Sequence, residues 1–454
     1  MSGRDVAVTR PADADAIPAP TGQQPPGAAR TGTFRALRHR NYRLWFVGQG
    51  VSLIGTWMQT MALQLLVYRL TGSAAALGMI NFIGLIPLLP LALWGGSLVD
   101  RFPKRTVILV TQTGMLIQAL LLSALTISGT IQVWQVYVMA FFLGALQAVD
   151  MPARQAFTVD MVEGKEDLTN AIGLNSAMFN GARALGPALA GLVVAATGEG
   201  LAFFVNALTF VAVIVCLLMM RNLPNSSKHT TVGVAKHMAE GIRFVSRQQV
   251  VLVLMSLVAV SAFLSMPYST LMPVFANGVL WDSANILVQT VCQGPSAILR
   301  CQAPEALPLG LLLTTVGIGA LVGALAIASL PNDARRGRLL TAGNLLFPTS
   351  LLLFASSRSF LLSMLCLLMV GISFVAQNAL ANTLIQISTP DSMRGRVMSL
   401  YSLTTQSMMR MGALQAGLVA DRIGAPLAIG LGASVSLAYG LFVAVRYPRV
   451  REMR

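Results

Sequence analysis

Apolar stretches of about 20 residues, each closed by a short polar turn, follow one another along almost the whole chain, from residue 44 to residue 445. A helix of that length rises roughly 30 Å, enough to cross the hydrocarbon core of a bilayer. Twelve stretches qualify: 44–67, 75–98, 106–128, 133–153, 172–197, 201–220, 250–275, 308–330, 338–356, 360–380, 400–420 and 425–445. In lipid every backbone N–H and C=O needs a partner within the protein, which leaves helices and closed barrels. Barrel strands show as alternating segments of about ten residues, whereas these are unbroken Leu, Ala, Val and Met runs. The pattern predicts an all-α integral membrane protein with twelve transmembrane helices.

The spans divide into two sets of six around a polar linker. Gly186, Gly191 and Gly198, in and after the fifth span, recur as Gly412, Gly417 and Gly424 at a constant offset of 226. Arg40-Asn41-Tyr42-Arg43-Leu44, ahead of the first span, resembles Arg247-Gln248-Gln249-Val250-Val251, ahead of the seventh, at an offset of 207. The difference of 19 implies an insertion between those points, and the loop 277–307 is its natural place. The expected organisation is a disordered tail over 1–33, a six-helix half over 34–220, a linker over 221–249, a second half over 250–446 and a basic tail over 447–454. Residues 1–33 are rich in Pro, Ala and Gly and hold no apolar core, as disordered segments do. Duplicated six-span halves with a substrate site between them are a recurrent transporter plan; chance matching of glycines in Gly-rich helices is the competing reading. The linker's Lys236–Val245 reads either as an amphipathic helix on the membrane surface or as a loose tether.

Composition sharpens this picture. Of 454 residues, 55% are hydrophobic and 11% charged, with mean hydropathy +0.69, against roughly 25% charged in a soluble domain. The net charge of +15 would suit nucleic acid, but its placement argues for topology instead. With a cytoplasmic N-terminus, only Arg69, Arg300, Arg358 and Arg422 fall on the far side, and Arg183 and Arg410 fall within spans. This positive-inside bias puts both termini in the cytoplasm and makes the basicity a matter of orientation and anionic lipid. No apolar segment with a cleavage site precedes the first span, which is expected to direct insertion itself. Cys216 and Cys366 lie in spans as small apolar side chains. Cys292 and Cys301 share the 277–307 loop, where they stand either free or as a short disulfide if that side is oxidising. The histidines (His39, His229, His237) are on the opposite face, so no metal site is expected, nor any cofactor, and the expected state is a monomer.

Between the second and third spans stands Gly96-Ser97-Leu98-Val99-Asp100-Arg101-Phe102-Pro103-Lys104-Arg105. The pattern Gly-x-x-x-Asp-Arg-x-Gly-Arg/Lys-Arg/Lys resembles the signature of the major facilitator superfamily, departing from it at Pro103, where the family has glycine. Pro331–Arg338 is a degenerate second copy. Gly55-Thr56-Trp57-Met58-Gln59, Tyr68–Ser73, Pro152–Phe157 and Arg394–Tyr401 are similar to a bacterial branch with enterobactin-exporter-like and macrolide-efflux-like members. The resemblance covers about 34–446 and implies a bacterial inner-membrane transporter. It also implies that Asp100 braces the outward-open state against the start of the eleventh span near Ser399–Tyr401, with Arg154 as ion-pair partner and Gly96, Arg101, Lys104 and Arg105 completing the latch. An anion favours a helix N-terminus by about 0.3–1 kcal/mol when exposed. The plainer reading is a polar turn whose cations only set topology. In the fifth span, Gly181, Arg183, Gly186, Pro187 and Gly191 resemble the glycine–proline motif of family exporters; tight packing is the alternative.

An unpaired charge within the membrane costs at least about 2.5 kcal/mol, so Arg183 and Arg410 either line a cavity or brace neighbouring helices. Asp150 is a candidate for proton coupling or, alternatively, an i,i+4 partner of Arg154. The resemblance implies a cavity lined by the first, fourth, seventh and tenth spans, which puts Trp57, Gln59, Gln64, Met266, Tyr268, Gln377 and Asn378 near a ligand. Mixed aromatic, amide and adaptable Met surfaces suit an amphipathic small molecule. The expected function is a proton-coupled secondary exporter of a medium-sized drug or siderophore-like compound, with import on the same fold as the alternative. No Gly-x-x-x-x-Gly-Lys-Ser/Thr phosphate loop occurs. The poverty of intramembrane acids and histidines disfavours an enzyme, and no segment is long enough for a sensor's soluble domain.

Overall fold

In a computed structural model, residues 34–162, 164–221, 234–293, 297, 300–331 and 334–453 are described, with the side chains of 92–101, 165 and 234–237 left outside that set. The tail 1–33 and much of the linker therefore lie outside the described residues. The first half runs α1 (Arg40–Thr71), α2 (Ala74–Arg101), α3 (Lys104–Ile127), α4 (Val133–Asp160), α5 (Lys165–Thr197) and α6 (Glu199–Met219). The linker ends in α7 (Val234–Arg247). The second half holds α8 (Gln249–Val260), a one-turn α9 (Met272–Val274), α10 (Trp281–Cys292), α11 (Ala306–Ala328), α12 (Arg336–Ser356), α13 (Phe360–Ile387), α14 (Asp391–Ile423) and α15 (Ala425–Arg446), before a short α16 (Pro448–Glu452).

Among the described residues, eleven helical segments are long and apolar enough to cross a membrane, counting Gln249–Val279 as one. The twelfth crossing element is α14, whose Arg394, Arg396, Arg410 and Arg422 make it too polar for that criterion. It packs along α2; of its arginines, Arg410 enters the bundle, Arg396 pairs with Glu240 of α7 at 2.9 Å, and Arg394 and Arg422 are exposed. The outer surface is the reverse of a soluble protein's: Val110, Ile117, Leu361, Leu427 and Val445 all point outward, the last 82% exposed. So wide an apolar surface needs lipid rather than water around it.

The seventh span is not the continuous helix expected over 250–275. It passes from α8 into a π-turn at Ser261–Ser265, a 3₁₀ turn at Met266–Ser269, α9 and a second π-turn at Phe275–Val279. Pro267 and Pro273 each lack an N–H and crowd the carbonyl four residues back, which accounts for the breaks. Gly412 and Gly432 let α14 and α15 close onto the backbone of Phe263 and Leu264 there.

The halves meet along two helix pairs, α2 with α14 and α5 with α11. The repeated glycines explain why. A Cβ on Gly191 would sit 3.2 Å from the Gly310 Cα on α11, and one on Gly417 would sit 3.0 Å from the Ala75 Cα on α2. Gly186 meets α1 at Ile54 and Trp57, as Gly412 meets the seventh span at Phe263. Gly198 and Gly424 end α5 and α14 with φ of 79° and 89°, a conformation glycine adopts at no steric cost. Each glycine of one half thus has the same task as its partner in the other.

Candidate functional site

A cavity of about 190 Å³ opens between α1, α2, α4 and α14. Its polar wall comes from Thr56, Gln59, Thr60 and Gln64 on α1, Asn81 on α2, Gln147 on α4 and Asn206 on α6, and its single charged lining residue is Arg410 from α14 of the other half. Arg410 stands 13 residues before the end of α14, about 20 Å along the axis at 1.5 Å per residue. The guanidinium enters over the crossing of α2 and α4, where Gly144 lies against Gly84; a Cβ on Gly84 would fall 2.8 Å from Arg410 Nη1. Arg410 Nη2 donates to Gln147 Oε1 at 3.3 Å, its only hydrogen bond among the described residues.

Arg183 sits at the matching depth of α5, 14 residues before its end, in a different setting. Its guanidinium carbon lies 5.7 Å from the Trp57 ring centroid and 4.9 Å from that of Phe374, a geometry in which aromatic faces stabilise a cation. Trp57 packs edge-on against Phe179, and Phe347 touches both Tyr268 and Phe374. Arg183 is therefore enclosed in an aromatic cluster drawn from both halves.

Of the residues projected onto the cavity, Gln59 and Gln64 line it. Gln59 is already engaged: Nε2 donates to Gln118 at 3.2 Å, and Oε1 accepts from Asn206 at 2.7 Å. Gln377 is held in the same way in the second half, donating to Asn344 at 2.7 Å and accepting from Ser261 at 3.0 Å. Asn378 donates to the Phe374 carbonyl one turn back. Met266 lies in the irregular run of the seventh span, packed on the core. Gln64 differs from these amides, since its Oε1 is buried with no hydrogen-bond partner among the described residues.

Asp150 is buried away from this cavity, between α3 and α4. It forms an ion pair with Arg154 and accepts from Thr111 Oγ1 at 2.6 Å and Gln112 Nε2 at 3.1 Å. Arg154 also lies 5.9 Å from the Trp45 ring centroid. Of the latch, the side chains of Gly96, Asp100 and Arg101 lie outside the described residues. Lys104 pairs with Asp160 at 2.7 Å, joining the start of α3 to the end of α4, and Arg105 donates to the Leu218 carbonyl at 3.0 Å. Gly181 has nothing near its Cβ position, and Pro187 bears on Gly310 through its carbonyl. The sulfurs of Cys292 and Cys301 are bonded, with Cα atoms 5.3 Å apart.

Three features escape the sequence reading. Asp421, near the end of α14, accepts from Ser73 Oγ and the Ala74 N–H at 2.6 Å and from the Ala75 N–H at 3.2 Å, so the second half caps the N-terminus of α2 in the first. At the other helix pair, the Ala195 carbonyl near the end of α5 accepts from the Gln302 and Ala303 N–H groups, closing the same end of the bundle. Asp167, buried at the start of α5, gathers Arg35 and Arg38 at 2.6 Å and His39 at 2.8 Å, tying down the basic segment ahead of α1.

Comparison with known proteins adds the context. The model of a family described as transmembrane secretion effector, within the major facilitator class, matches residues 31–294 and 295–454. The chain is 24% identical over 388 residues to the staphyloferrin A transporter of Staphylococcus aureus, covering 84% of this chain and 90% of that protein. It is 22% identical over 422 residues to macrolide efflux protein A of Streptococcus pyogenes, covering 91% and 96%. The crystal structure of the nucleoside transporter NupG superposes with a TM-score of 0.66 at 11% identity, covering 90% of this chain and 99% of that one, a likeness of fold alone.

Proposed function

The chain belongs to the transmembrane secretion effector family of the major facilitator superfamily, and we propose that it is a secondary active exporter of a medium-sized amphipathic compound, driven by proton entry and working by alternating access. It is a multi-pass membrane transporter, not an enzyme. The observation that carries the transport reading is the cavity itself. It is walled by helices of the first half and completed by Arg410 from α14 of the second. The halves touch along two glycine-lined helix pairs that can slide or part as units. The efflux activity of the macrolide relative supports the direction. The protein sits as a monomer in a bacterial inner membrane with both termini cytoplasmic, which the clustering of Lys and Arg supports.

In this reading Asp100, with Gly96, Arg101, Lys104 and Arg105, braces the cytoplasmic ends of the helices. Arg154 pairs with Asp150 and, with five donors on its guanidinium, is also the proposed partner of Asp100. Asp150 is the proton-coupling candidate, and its ion pair with Arg154 must loosen for it to take up a proton. The test is accumulation of a panel of dyes, antibiotics and siderophores in an efflux-deficient bacterial host, comparing the protein with Asp100→Asn, with and without a protonophore. Lower accumulation that is lost in the variant and with the protonophore is the expected result. Raised accumulation would reverse the direction and remove the export reading.

A further inference from the structure

The two intramembrane arginines are not equivalent, and the difference bears on what the cavity takes. Arg183 is surrounded by aromatic faces that compensate its charge. Arg410 has no aromatic face and no carboxylate against it among the described residues. An arginine carries five N–H donors, and Arg410 uses one of them, on Gln147. The remaining lining polar groups are neutral amides and hydroxyls. Gln64 adds a further neutral amide to the wall, and its buried oxygen has no partner among the described residues. Glycine at position 84 keeps the room that the guanidinium occupies.

Resting on the transporter reading, we infer that Arg410 is the anion-recognition residue of the cavity and that the transported molecule carries an oxyanion group, a carboxylate, sulfonate or phosphate, which the guanidinium binds while the amides of α1 and α4 surround it. Planar guanidinium suits such groups because it offers two parallel N–H bonds. The cavity, at about 190 Å³, is smaller than the roughly 300–1,000 Å³ that whole drug-sized ligands occupy. It is therefore a subsite for the charged end of the ligand, and the apolar body extends along the interface between the halves. This narrows the expected amphipathic cargo to an amphipathic anion.

A series that varies only the head group tests the inference. The full-length protein, purified in detergent, is titrated with 2-naphthoate, 2-naphthalenesulfonate and 2-naphthyl phosphate, then with 2-naphthamide and 2-naphthylmethylammonium, following the unfolding midpoint. At least one anion should raise the midpoint, and the amide and ammonium should not. Which anion does so separates carboxylate from sulfonate and phosphate chemistry. Arg410→Gln should weaken that anion at least tenfold. Arg410→Lys should retain part of the binding, and Gly84→Ala, which displaces the guanidinium without removing it, should weaken it in a folded protein. Equal binding of the amide or ammonium, binding of none of the anions, or undiminished anion binding by Arg410→Gln overturns the proposal. Because the assay does not measure flux, anion binding without export would remove the export reading alone. Export confined to cations would remove the anion site alone.

Discussion

Removing the Asp421 carboxylate should open the end of the bundle that it closes. Asp421 belongs to α14, yet it satisfies the Ala74 and Ala75 N–H groups at the start of α2 and the hydroxyl of Ser73. It thus acts as a helix cap supplied by the other half of the protein. Replacing a capping aspartate by alanine costs about 1 kcal/mol, within a range of roughly 0.5–2, and the charge at the positive end of the helix contributes some 0.3–1 kcal/mol more. Asp421 is exposed, so salt screens it and about 1–2 kcal/mol is the appropriate magnitude. That energy belongs to the closed arrangement alone, because parting the halves leaves the cap behind. At 1.4 kcal/mol per factor of ten, Asp421→Ala should shift the closed-to-open ratio by roughly 5- to 30-fold, and Asp421→Asn by less, since the amide oxygen still accepts. Nitroxide labels at Thr71 and Arg422, both exposed, read this by pulsed electron resonance in a background where Cys216 and Cys366 are replaced. The short-distance population should fall in Asp421→Ala, recover in part in Asp421→Asn, and respond to salt in the parent. An undiminished short-distance population in Asp421→Ala would refute the gating role, whatever the variant's stability.

Three further outcomes follow from the same geometry. Arg154→Ala leaves the buried Asp150 without its cation and should destabilise the first half by about 3–5 kcal/mol, seen as a lower unfolding midpoint, whereas Arg154→Ala with Asp150→Asn should recover much of the loss. Gly417→Val places a side chain against the Ala75 backbone and should hold α2 and α14 apart, lowering transport in the accumulation assay while Gly430→Val, at a glycine with open space, does not. Alkylation of the denatured protein should modify two cysteines before reduction, Cys216 and Cys366, and four after it; four before reduction would contradict the Cys292–Cys301 bond.

The parts of this molecule that hydropathy governs were legible in its residues, and those set by contacts distant in sequence were not. Spans over 360–380 or 425–445 need only length and apolar content, and the helices α13 and α15 fall there. The repeated glycines could be aligned by eye because a close helix crossing tolerates so few residue types. The break in the seventh span was available in Pro267 and Pro273, whose missing donors and steric demands outweigh the apolar run around them. Gln59 and Gln377 show the other case. Nothing in the local sequence says that their amides are taken by Gln118 and Asn206, or by Asn344 and Ser261, so they read as ligand contacts. Asp421 was passed over because a carboxylate at the end of a span looks like a solvated turn; only the arrival of α2, some 350 positions away in sequence, makes it a cap. The disulfide was similarly undecided, since spacing alone does not bring two sulfurs together.

An anionic cargo changes what must drive the protein. The interior of a bacterium is electrically negative, and each elementary charge crossing 100 mV exchanges about 2.3 kcal/mol. Expelling a neutral compound against one entering proton moves one charge with the field. Expelling a monoanion against the same proton moves two, roughly doubling the electrical contribution to about 4.6 kcal/mol at that potential. Arg410 fits such a cycle: its charge stays with the protein, and an anion leaving it uncovers a cation that the emptied cavity, lined by amides at Gln147 and Gln64, can hold on its return. Transport of the naphthalene anion selected by binding should therefore depend on potential as well as on pH. In proteoliposomes with equal pH on both sides, a potassium gradient with valinomycin that makes the cytoplasm-equivalent side negative should accelerate anion expulsion, and reversing the gradient should slow it. Rates indifferent to the sign of the potential would show that the anion crosses with its charge cancelled, and the electrical part of the mechanism would fall while the binding site remained.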